Sequence, residues 1–282
     1  MKVQVFLRHL KERPKWFFRL MISRILLHTR LCLVFKIKLG EVSLRFFPTR
    51  FSADLWFPSK NVYEEYRLPF LKDGDIAVDV GANIGFTTLL FGQLVGEKGE
   101  VYAFEPNPKV FSYLQYNVKM NNSKNVQLYN YACGERSAEL FLSDCGKSDT
   151  GNYLTKVECK ERVKVITLDH MLDCKVARNI KLLKVDTEGY EKFVFLGATR
   201  ILQKTVCVIF EGLREHYARF GYEMMAVVEI LQGLGFEIYS YRKTEHSFQP
   251  FALNEYSLSS SNYSQDFFAV KSSSLLNGVQ WV

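Results

Sequence analysis

The feature that most constrains the fold is a regular alternation of short apolar strands with helices. Strand patterns occupy residues 76–80, 100–104, 126–132, 180–185 and 206–210, and helical patterns occupy 84–95, 108–120 and 191–202. Successive strands joined by helices pair in parallel, and the helices then cover both faces of the sheet. The sequence therefore predicts an α/β protein with a mostly parallel sheet.

The remaining regions add smaller elements to this sheet. We expect a β-hairpin at 35–49, a short helix at 62–69, an inserted hairpin formed by 138–143 and 162–168, and a helical region at 214–233. Two further strands, at 236–241 and 266–270, are expected to pair antiparallel at the sheet edge and to be joined by a serine-rich segment at 257–264. The predicted organisation is a helical extension at 1–34, a hairpin and cap at 35–70, and one large domain at 71–282.

Charge is concentrated at one end of the chain. The 37 basic and 30 acidic residues give a net charge of +7. Residues 1–40 contain ten Lys and Arg against the single acid Glu12, which leaves +9 at this end and −2 for the other 242 residues. A body that is slightly acidic is not expected to bind nucleic acid.

The basic end is apolar between residues 16 and 34, but Arg19, Arg24 and Arg30 interrupt it. Three arginines argue against a transmembrane helix, and no uninterrupted apolar core precedes a signal-peptide cleavage site. The pattern is an imperfect amphipathic helix. Three alternatives stay open for it: packing on the body, peripheral contact with a membrane surface, and organelle targeting.

The six cysteines are scattered, at positions 32, 133, 145, 159, 174 and 207. They form no Cys-x-x-Cys pair and do not cluster with histidines, which argues against a structural zinc site and gives no metal prediction. Scattered cysteines are typical of reduced thiols in a cytoplasmic protein, and a few surface disulfides remain an alternative.

A glycine turn, DVGANIG at 79–85, joins the first core strand to the first core helix. If Gly81 were the first glycine of a dinucleotide motif, Asn83 and Phe86 would occupy the other two places, and no Gly-Lys-Ser/Thr follows. The carboxylate of Asp79 would repel a phosphate but attract an ammonium or sulfonium group. Both groups occur in S-adenosylmethionine, which is therefore the predicted cofactor.

A second acid supports this prediction. Glu105 ends the next strand, in FEPNP, 20 residues after Gly85. An acid at this place can accept the ribose hydroxyls of an adenosine that lies across the strand ends. In the alternative interpretation Asp79 caps a helix and Glu105 is a solvated surface acid.

Together with ITLDHM at 166–171, LKVDTEGYE at 183–191, IFEG at 209–212 and DFFAV at 266–270, these motifs resemble the FkbM-type family of S-adenosylmethionine-dependent methyltransferases. The resemblance covers about residues 60–270. It implies a class I methyltransferase (Rossmann-like) fold, with seven strands of which the last is antiparallel, and usually O-methylation. It also implies cofactor-binding roles, in which the turn residues Gly81, Ala82, Asn83 and Gly85 surround the methionine and ribose, Glu105 binds the ribose, and Pro106, Asn107, Ala132 and Cys133 lie near the adenine.

Three acids follow the fourth and fifth parallel strands: Asp186 and Glu188 in KVDTEG, and Glu211 in IFEG. Strand ends meet in the crevice where α/β sheets bind ligands, so we expect these side chains there. Asp186 is predicted to flank both cofactor and acceptor, Glu188 to belong to the same site, and His216 or Glu211 to act as base. Two alternatives make His216 a solvated helix-start residue and Glu188 a first-turn helix acid. A third makes Asp186 and Glu211 ligands of a divalent cation.

The predicted function is therefore O-methylation of a hydroxyl on a small molecule, sugar or glycan. A membrane-associated protein or lipid methyltransferase is one alternative, and a catalytically silent scaffold of the same fold is another. A nucleic-acid methyltransferase is disfavoured, because no Asn-Pro-Pro-Tyr motif follows the fourth strand and three acids would repel phosphates. The acceptor pocket is expected between the N-terminal hairpin, residues 144–161 and residues 213–223.

Overall fold

The structure is a computed structural model that describes residues 36–49, 51–52, 55, 70–143, 152–242, 247–253 and 265–276. The predicted extension at 1–34, the cap helix at 62–69 and the serine-rich segment at 257–264 lie outside these ranges. Within the described ranges, no helix combines the length and the hydropathy that a bilayer crossing requires. The four cysteines placed there, Cys133, Cys159, Cys174 and Cys207, are free thiols.

The main sheet has eight strands in the order β13-β12-β14-β11-β10-β3-β4-β5. Its strands are β3 (Ile76–Val80), β4 (Glu100–Phe104), β5 (Val126–Tyr129), β10 (Ile180–Val185), β11 (Thr205–Gly212), β12 (Glu237–Arg242), β13 (Ser247–Pro250) and β14 (Gln265–Val270). The five neighbouring strands β5, β4, β3, β10 and β11 are parallel to one another. β14 runs antiparallel to both β11 and β12. The predicted parallel core and the antiparallel pair at the edge are confirmed.

The strand count differs from the seven that the resemblance implies. The additional strand β13, with sequence SFQP, pairs antiparallel with β12 at the edge of the sheet. Sequence reasoning missed it because four residues ending in proline carry no alternating pattern, and an edge strand needs pairing on one side only.

Helices cover the sheet on both faces, as predicted. They are α1 (Phe86–Leu94), α2 (Pro108–Met120), α3 (Leu168–Leu172), α4 (Glu191–Leu196), α5 (Thr199–Lys204), α6 (Arg214–Arg219) and α7 (Met224–Gly233). Two regions predicted as continuous, 191–202 and 214–233, are each broken into two helices. The first break follows from tertiary capping, because the carboxylate of Asp169 accepts the backbone N–H groups of Arg200 and Ile201 and starts a new helix there.

The inserted hairpin belongs to a second, four-stranded sheet of order β6-β9-β7-β8. Its strands are β6 (Ala132–Cys133), β7 (Ala138–Leu142), β8 (Leu154–Thr155) and β9 (Glu161–Ile166). β7 and β9 pair antiparallel, which confirms the predicted hairpin. The strand predicted at 126–132 is divided between β5 in the main sheet and β6 in this one.

The N-terminal hairpin is confirmed as β1 (Lys36–Leu39) and β2 (Val42–Arg45), with Gly40 at φ 59° in the turn. Side-chain amides of α2 attach β2 to the body. Asn121 exchanges hydrogen bonds with the backbone of Ser43, and Asn117 Oδ1 accepts from Arg45 N at 2.8 Å. Because Asn117 Nδ2 also donates to the Ile84 carbonyl, one buried amide links the hairpin to the glycine turn that precedes α1.

Gly197, at the break between α4 and α5, offers a test of this packing. A Cβ atom there would overlap the backbone carbonyl of Gly134, which cannot move like a flexible side chain. We expect Gly197→Ala to lower the free energy of unfolding by about 2 kcal/mol or more, measured by urea denaturation. The control is Gly233→Ala, at an exposed helical position with no atom within 4 Å, which should be neutral or stabilise by up to about 1 kcal/mol. Equal effects of the two substitutions would contradict the close approach.

Candidate cofactor and acceptor site

A cavity of about 310 Å³ lies at the carboxyl ends of the parallel strands. Open α/β sheets bind ligands at this edge. Most of the predicted cofactor residues line it, namely Gly81, Ala82, Asn83, Glu105, Pro106, Asn107, Ala132, Cys133 and Asp186. Leu142 and Leu154 of the second sheet and Asn152, two residues before β8, complete the wall.

Asp79 does not line the cavity, which corrects the predicted contact with a cationic ligand. Its side chain is fully buried, and Oδ2 accepts hydrogen bonds from the hydroxyls of Thr87 at 2.8 Å and Thr88 at 2.6 Å. Both threonines lie in the first turn of α1. The alternative interpretation fits better, since Asp79 binds the first turn of this helix and fixes its start.

The glycine turn leaves no backbone donor for an anion. Gly81 N and Ala82 N both donate to the Phe104 carbonyl at 3.0 Å, and Gly85 N donates to the Ala82 carbonyl at 2.9 Å. Asn83 N donates to Glu105 Oε2, and Ile84 N donates to Asn83 Oδ1. A phosphate-binding turn would direct such groups at its ligand. The turn therefore does not form a pyrophosphate cradle, in agreement with the sequence argument.

The two glycines of the turn serve packing. Gly81 has φ 86°, and a Cβ atom there would overlap the carbonyl oxygen of Asp186 at the end of β10. Gly85 has φ 94° and lies outside the cavity lining, where a Cβ would approach Leu114 Cδ1 of α2 to 2.5 Å. The predicted direct role of Gly85 around the cofactor is thus corrected to a packing role.

Glu105 is the best-defined polar group of the cavity. It is 8% exposed, Oε1 accepts from Asn107 N at 2.9 Å, and Oε2 accepts from Asn83 N at 2.9 Å. Burial raises the pKa of Glu105 to about 7, because the two backbone hydrogen bonds do not offset the loss of hydration. Each carboxylate oxygen keeps a second lone pair, so both can accept a ribose hydroxyl. The residues present therefore fit the adenosyl half of S-adenosylmethionine.

The side predicted to hold the adenine is largely apolar. Ala132 and Cys133 are buried, and burial raises the pKa of the Cys133 thiol, which keeps it neutral. The side chain of Asn107 caps α2, since Oδ1 accepts from Lys109 N and Val110 N. The side-chain oxygen of Asn107 is therefore occupied in capping the helix, and we expect its backbone to contact a ligand.

The structure brings the predicted catalytic residues together. Asp186, Glu188 and Glu211 line the cavity, whereas His216 lies behind the last two. His216 Nδ1 is 3.3 Å from Glu188 Oε2 and 3.4 Å from Glu211 Oε2. Since 17% of its side chain is exposed, the alternative of a solvated helix-start histidine is wrong.

The pKa values of Glu188 and His216 are shifted in this cluster. Burial, together with the charges of Asp186 and Glu211, raises the pKa of Glu188 to about 7. Burial lowers the pKa of His216, but the neighbouring Glu211 and Glu188 carboxylates raise it by more. The pKa of His216 is therefore raised overall. Protons in such a cluster belong to the group as a whole. A proton can therefore be shared by Glu188 and His216 near neutral pH.

Glu188 sits in an unusual backbone conformation. Its φ is 57° and that of the next residue, Gly189, is 102°. A left-handed conformation at a residue other than glycine persists only when its surroundings hold it. Here Arg219 Nη1 donates to the Glu188 carbonyl at 3.2 Å, and Tyr222 OH donates to the Gly189 carbonyl at 2.6 Å. The first-turn acid of α4 is Glu191, so the alternative that gave Glu188 this role is wrong.

Glu191 is a buried residue that sequence reasoning missed. Its Oε1 accepts from Thr187 N at 2.8 Å, from Thr187 Oγ1 at 2.9 Å and from Gly189 N at 3.4 Å. The side chain is fully buried, and burial raises its pKa to about 7. Glu191 thereby fixes the turn that carries Glu188. The acid three residues after Glu188 in DTEGYE was the available signal.

Lys184 is the second residue that was missed. It is 4% exposed, and its Nζ lies 2.8 Å from Asp186 Oδ2. A lysine inside the apolar run IKLLKV was the signal, because a charge in a buried strand is costly unless it has a partner.

The pairing of Lys184 with Asp186 also bears on the alternative of a divalent cation. Among the described residues, the ligand atoms that converge within 4.8 Å belong to Glu188, Glu211 and His216. Asp186, one of the two proposed ligands, is not in that group.

The chain is similar in sequence to known proteins. The family model described as the Methyltransferase FkbM domain matches residues 79–238, more than half of the chain. Hexuronic acid methyltransferase AglP of Haloferax volcanii is 29% identical over 140 residues, 50% of this chain and 56% of that protein. Methyltransferase 1 of Beauveria bassiana is 30% identical over 151 residues, 46% of this chain and 60% of that protein. The chain thus covers less than two thirds of either relative.

Among solved structures, methyltransferase FkbM from Methylobacillus flagellatus KT is 14% identical, with a TM-score of 0.46. The similarity covers 77% of this chain and 54% of that one.

The buried carboxyl of Glu191 leads to a prediction about stability. A pKa raised in the folded state means that folding strengthens proton binding, so the stabilisation is present at low pH and is lost as pH rises to about 7. Glu191→Gln cannot ionise. We therefore expect the difference in free energy of unfolding, variant minus wild type, to increase by up to about 3 kcal/mol from pH 4.5 to pH 8. Urea denaturation at each pH measures this difference. The exposed Glu158→Gln should follow the wild-type curve. If the Glu191→Gln and wild-type curves run parallel, this carboxyl titrates normally.

Proposed function

We propose, since this chain belongs to the FkbM family of S-adenosylmethionine-dependent methyltransferases, that it methylates a hydroxyl group of a small molecule, sugar or glycan. The observation that carries the proposal is the cluster of Glu188, Glu211 and His216 at the cavity wall. A sugar or alcohol hydroxyl is weakly acidic, so its methylation needs a group that takes the proton as the new bond forms.

The bound cofactor supplies an activated methyl group. The residues of the chain then hold the reactants in line, which is the main requirement of a displacement reaction. Glu105 would bind the ribose through its two carboxylate oxygens. The adenine would lie against the apolar wall at Ala132 and Cys133. Asp186 lies between this half of the cavity and the acid cluster.

We assign the base to the carboxylates rather than to His216. Glu188 and Glu211 line the cavity, whereas His216 contacts both from behind. Glu211 accepts the proton of the acceptor hydroxyl. His216 and Glu188 lie next to it and share the resulting change in charge. Tyr217 supports this position, because its hydroxyl donates to the Glu211 carbonyl at 2.5 Å.

A sugar acceptor is supported by one of the relatives, which is named a hexuronic acid methyltransferase. That similarity covers 56% of the relative, so the substrate class of this chain is part of the proposal. The test is a panel of neutral sugars, uronic acids and their glycosides, with release of S-adenosylhomocysteine as the readout and the methylated atom located by NMR. A methyl group found on nitrogen, carbon or a carboxylate would contradict O-methylation. Absence of cofactor binding in calorimetry would contradict the whole assignment.

The assignment of Glu211 predicts a selective loss of turnover. We expect Glu211→Gln to lower kcat by about 100-fold or more, because a positioned base contributes on this scale, and to leave cofactor affinity within about threefold. Steady-state kinetics and calorimetry measure the two effects. The matched control is Glu215→Gln, an exposed acid on α6 that should keep both values. An unchanged kcat in Glu211→Gln would remove this residue from the base role.

The acid cluster also predicts the pH dependence of the reaction. Glu188 has a pKa of about 7, and its ionised form is the one that favours proton uptake by the cluster. At saturating cofactor, kcat should therefore rise as pH increases through about 7 and then level off. In Glu188→Gln this limb should shift or flatten. A pH profile of kcat that is identical in the two proteins would show that the cluster does not control the step.

A further inference from the structure

The methionine end of S-adenosylmethionine is a zwitterion, with an α-carboxylate and an α-ammonium group. A site that binds it needs a donor for the first group and an acceptor for the second. The backbone N–H groups of the glycine turn are not available, since all five from Gly81 to Gly85 have partners within the chain. The donor has to come from another part of the lining.

The side chains of the cavity narrow the choice. The described lining residues include four acids and one base, Lys184; the acids are Glu105, Asp186, Glu188 and Glu211. A carboxylate placed beside any of the acids without a cation would be repelled. The position of Lys184 therefore decides where the α-carboxylate can lie.

Lys184 and Asp186 form a pair that suits a zwitterion. The two residues are two positions apart at the end of β10, which puts both side chains on one face of the sheet. Lys184 is almost fully buried, Nζ lies 2.8 Å from Asp186 Oδ2, and the Asp186 side chain is 38% exposed. An ammonium group carries three donors and a carboxylate several acceptor positions, so mutual contact is compatible with ligand binding.

The pair also lies next to the glycine turn. Asp186 N donates to the Val80 carbonyl at 3.0 Å, and Gly81 packs against the Asp186 carbonyl. The cofactor's adenosine is assigned to Glu105 on the other strand that adjoins β3. A cofactor that spans the end of β3 would present its methionine end to β10.

We propose that the Lys184–Asp186 pair is the receptor for the amino-acid end of the cofactor, in which the Lys184 ammonium binds the α-carboxylate and Asp186 binds the α-ammonium. The proposal rests on S-adenosylmethionine being the methyl donor, and it goes beyond the proposed reaction because it concerns binding alone. It makes Lys184 a cofactor-binding residue.

Decarboxylated S-adenosylmethionine tests this directly, because it lacks only the α-carboxylate. Its charge is +2, against +1 for S-adenosylmethionine. If Lys184 did not bind the carboxylate, the four acids of the cavity would favour the more positive molecule. If Lys184 does bind it, the full-length wild type should bind S-adenosylmethionine about tenfold or more tightly than the decarboxylated form, as measured by calorimetry. The two possibilities thus differ in sign.

Substitution of the lysine supplies the second arm. In Lys184→Met the preference should disappear or reverse, while affinity for the decarboxylated form stays within about threefold or improves. In Lys184→Arg, which keeps the positive charge, part of the preference should return. The matched control is Lys181→Met, on the same strand but outside the cavity lining, which should keep both affinities.

A variant at the ribose end distinguishes the two halves of the site. Glu105→Gln should weaken both ligands by a similar factor and leave their ratio unchanged. A wild-type ratio near one, or a Lys184→Met ratio equal to that of the wild type, would overturn the proposal, and the wild-type measurement decides this even if the methionine variant does not fold. Failure of the wild type to bind either ligand would instead overturn the use of this cofactor.

Discussion

The site depends on the contact between two backbones at Gly81 and Asp186. The turn after β3 approaches the end of β10 so closely that no side chain fits between them. Asp186 N in turn donates to the Val80 carbonyl, so the hydrogen-bonding ladder of the two strands continues to the edge of the cavity. This contact fixes the turn relative to Asp186, and through the following residues it fixes Glu188. From the sequence, Gly81 is expected to make room for the cofactor. In the structure, the close approach of the Asp186 backbone already requires a glycine at this position.

Acids concentrated at one edge of a sheet impose a cost that a cationic ligand can offset. Burial raises the pKa of Glu105, Glu188 and Glu191 to about 7, so each prefers its neutral form more than a free glutamate does. A positively charged cofactor stabilises the ionised forms by the same interaction that gives it affinity. Cofactor binding and ionisation of the site are therefore coupled. The demethylated product carries one positive charge less, which weakens this coupling and favours its release.

Much of the fold could be predicted because its signals are local. Strands β3, β4 and β10 and helix α2 have the bounds that the apolar pattern and the Asn107-Pro108 helix start indicate. The errors arise where distant residues decide. Asp169 starts α5 from another helix, and β13 exists only because β12 lies beside it. No window of sequence around either position contains that information.

The same division applies to the site. Most of the residues that the sequence assigns to cofactor binding line one cavity, because strand ends of a parallel sheet must converge. Asp79 and Gly85 lie outside the lining, because the helices determine their surroundings: Thr87 and Thr88 of α1 bind the Asp79 carboxylate, and Leu114 of α2 packs against Gly85. Glu191 and Lys184 were overlooked, although Lys184 interrupts a buried apolar strand and Glu191 is an acid three residues after Glu188.

The residues that break local rules mark the functional edge of this molecule. Among the described residues, the buried side-chain atoms without a hydrogen-bond partner are Asp79 Oδ1, Glu191 Oε2 and His216 Nδ1. Each belongs to a residue that holds part of the cavity wall: the start of α1, the turn of Glu188, or the carboxylate pair. Glu188 adds a left-handed backbone, and Lys184 adds a buried charge. A buried polar atom without a hydrogen bond and a left-handed backbone at a residue other than glycine each oppose folding, so folding alone does not favour them. Glu188 and Lys184 line the cavity and the other three residues support its wall, so the departures from ordinary packing are concentrated around one binding site.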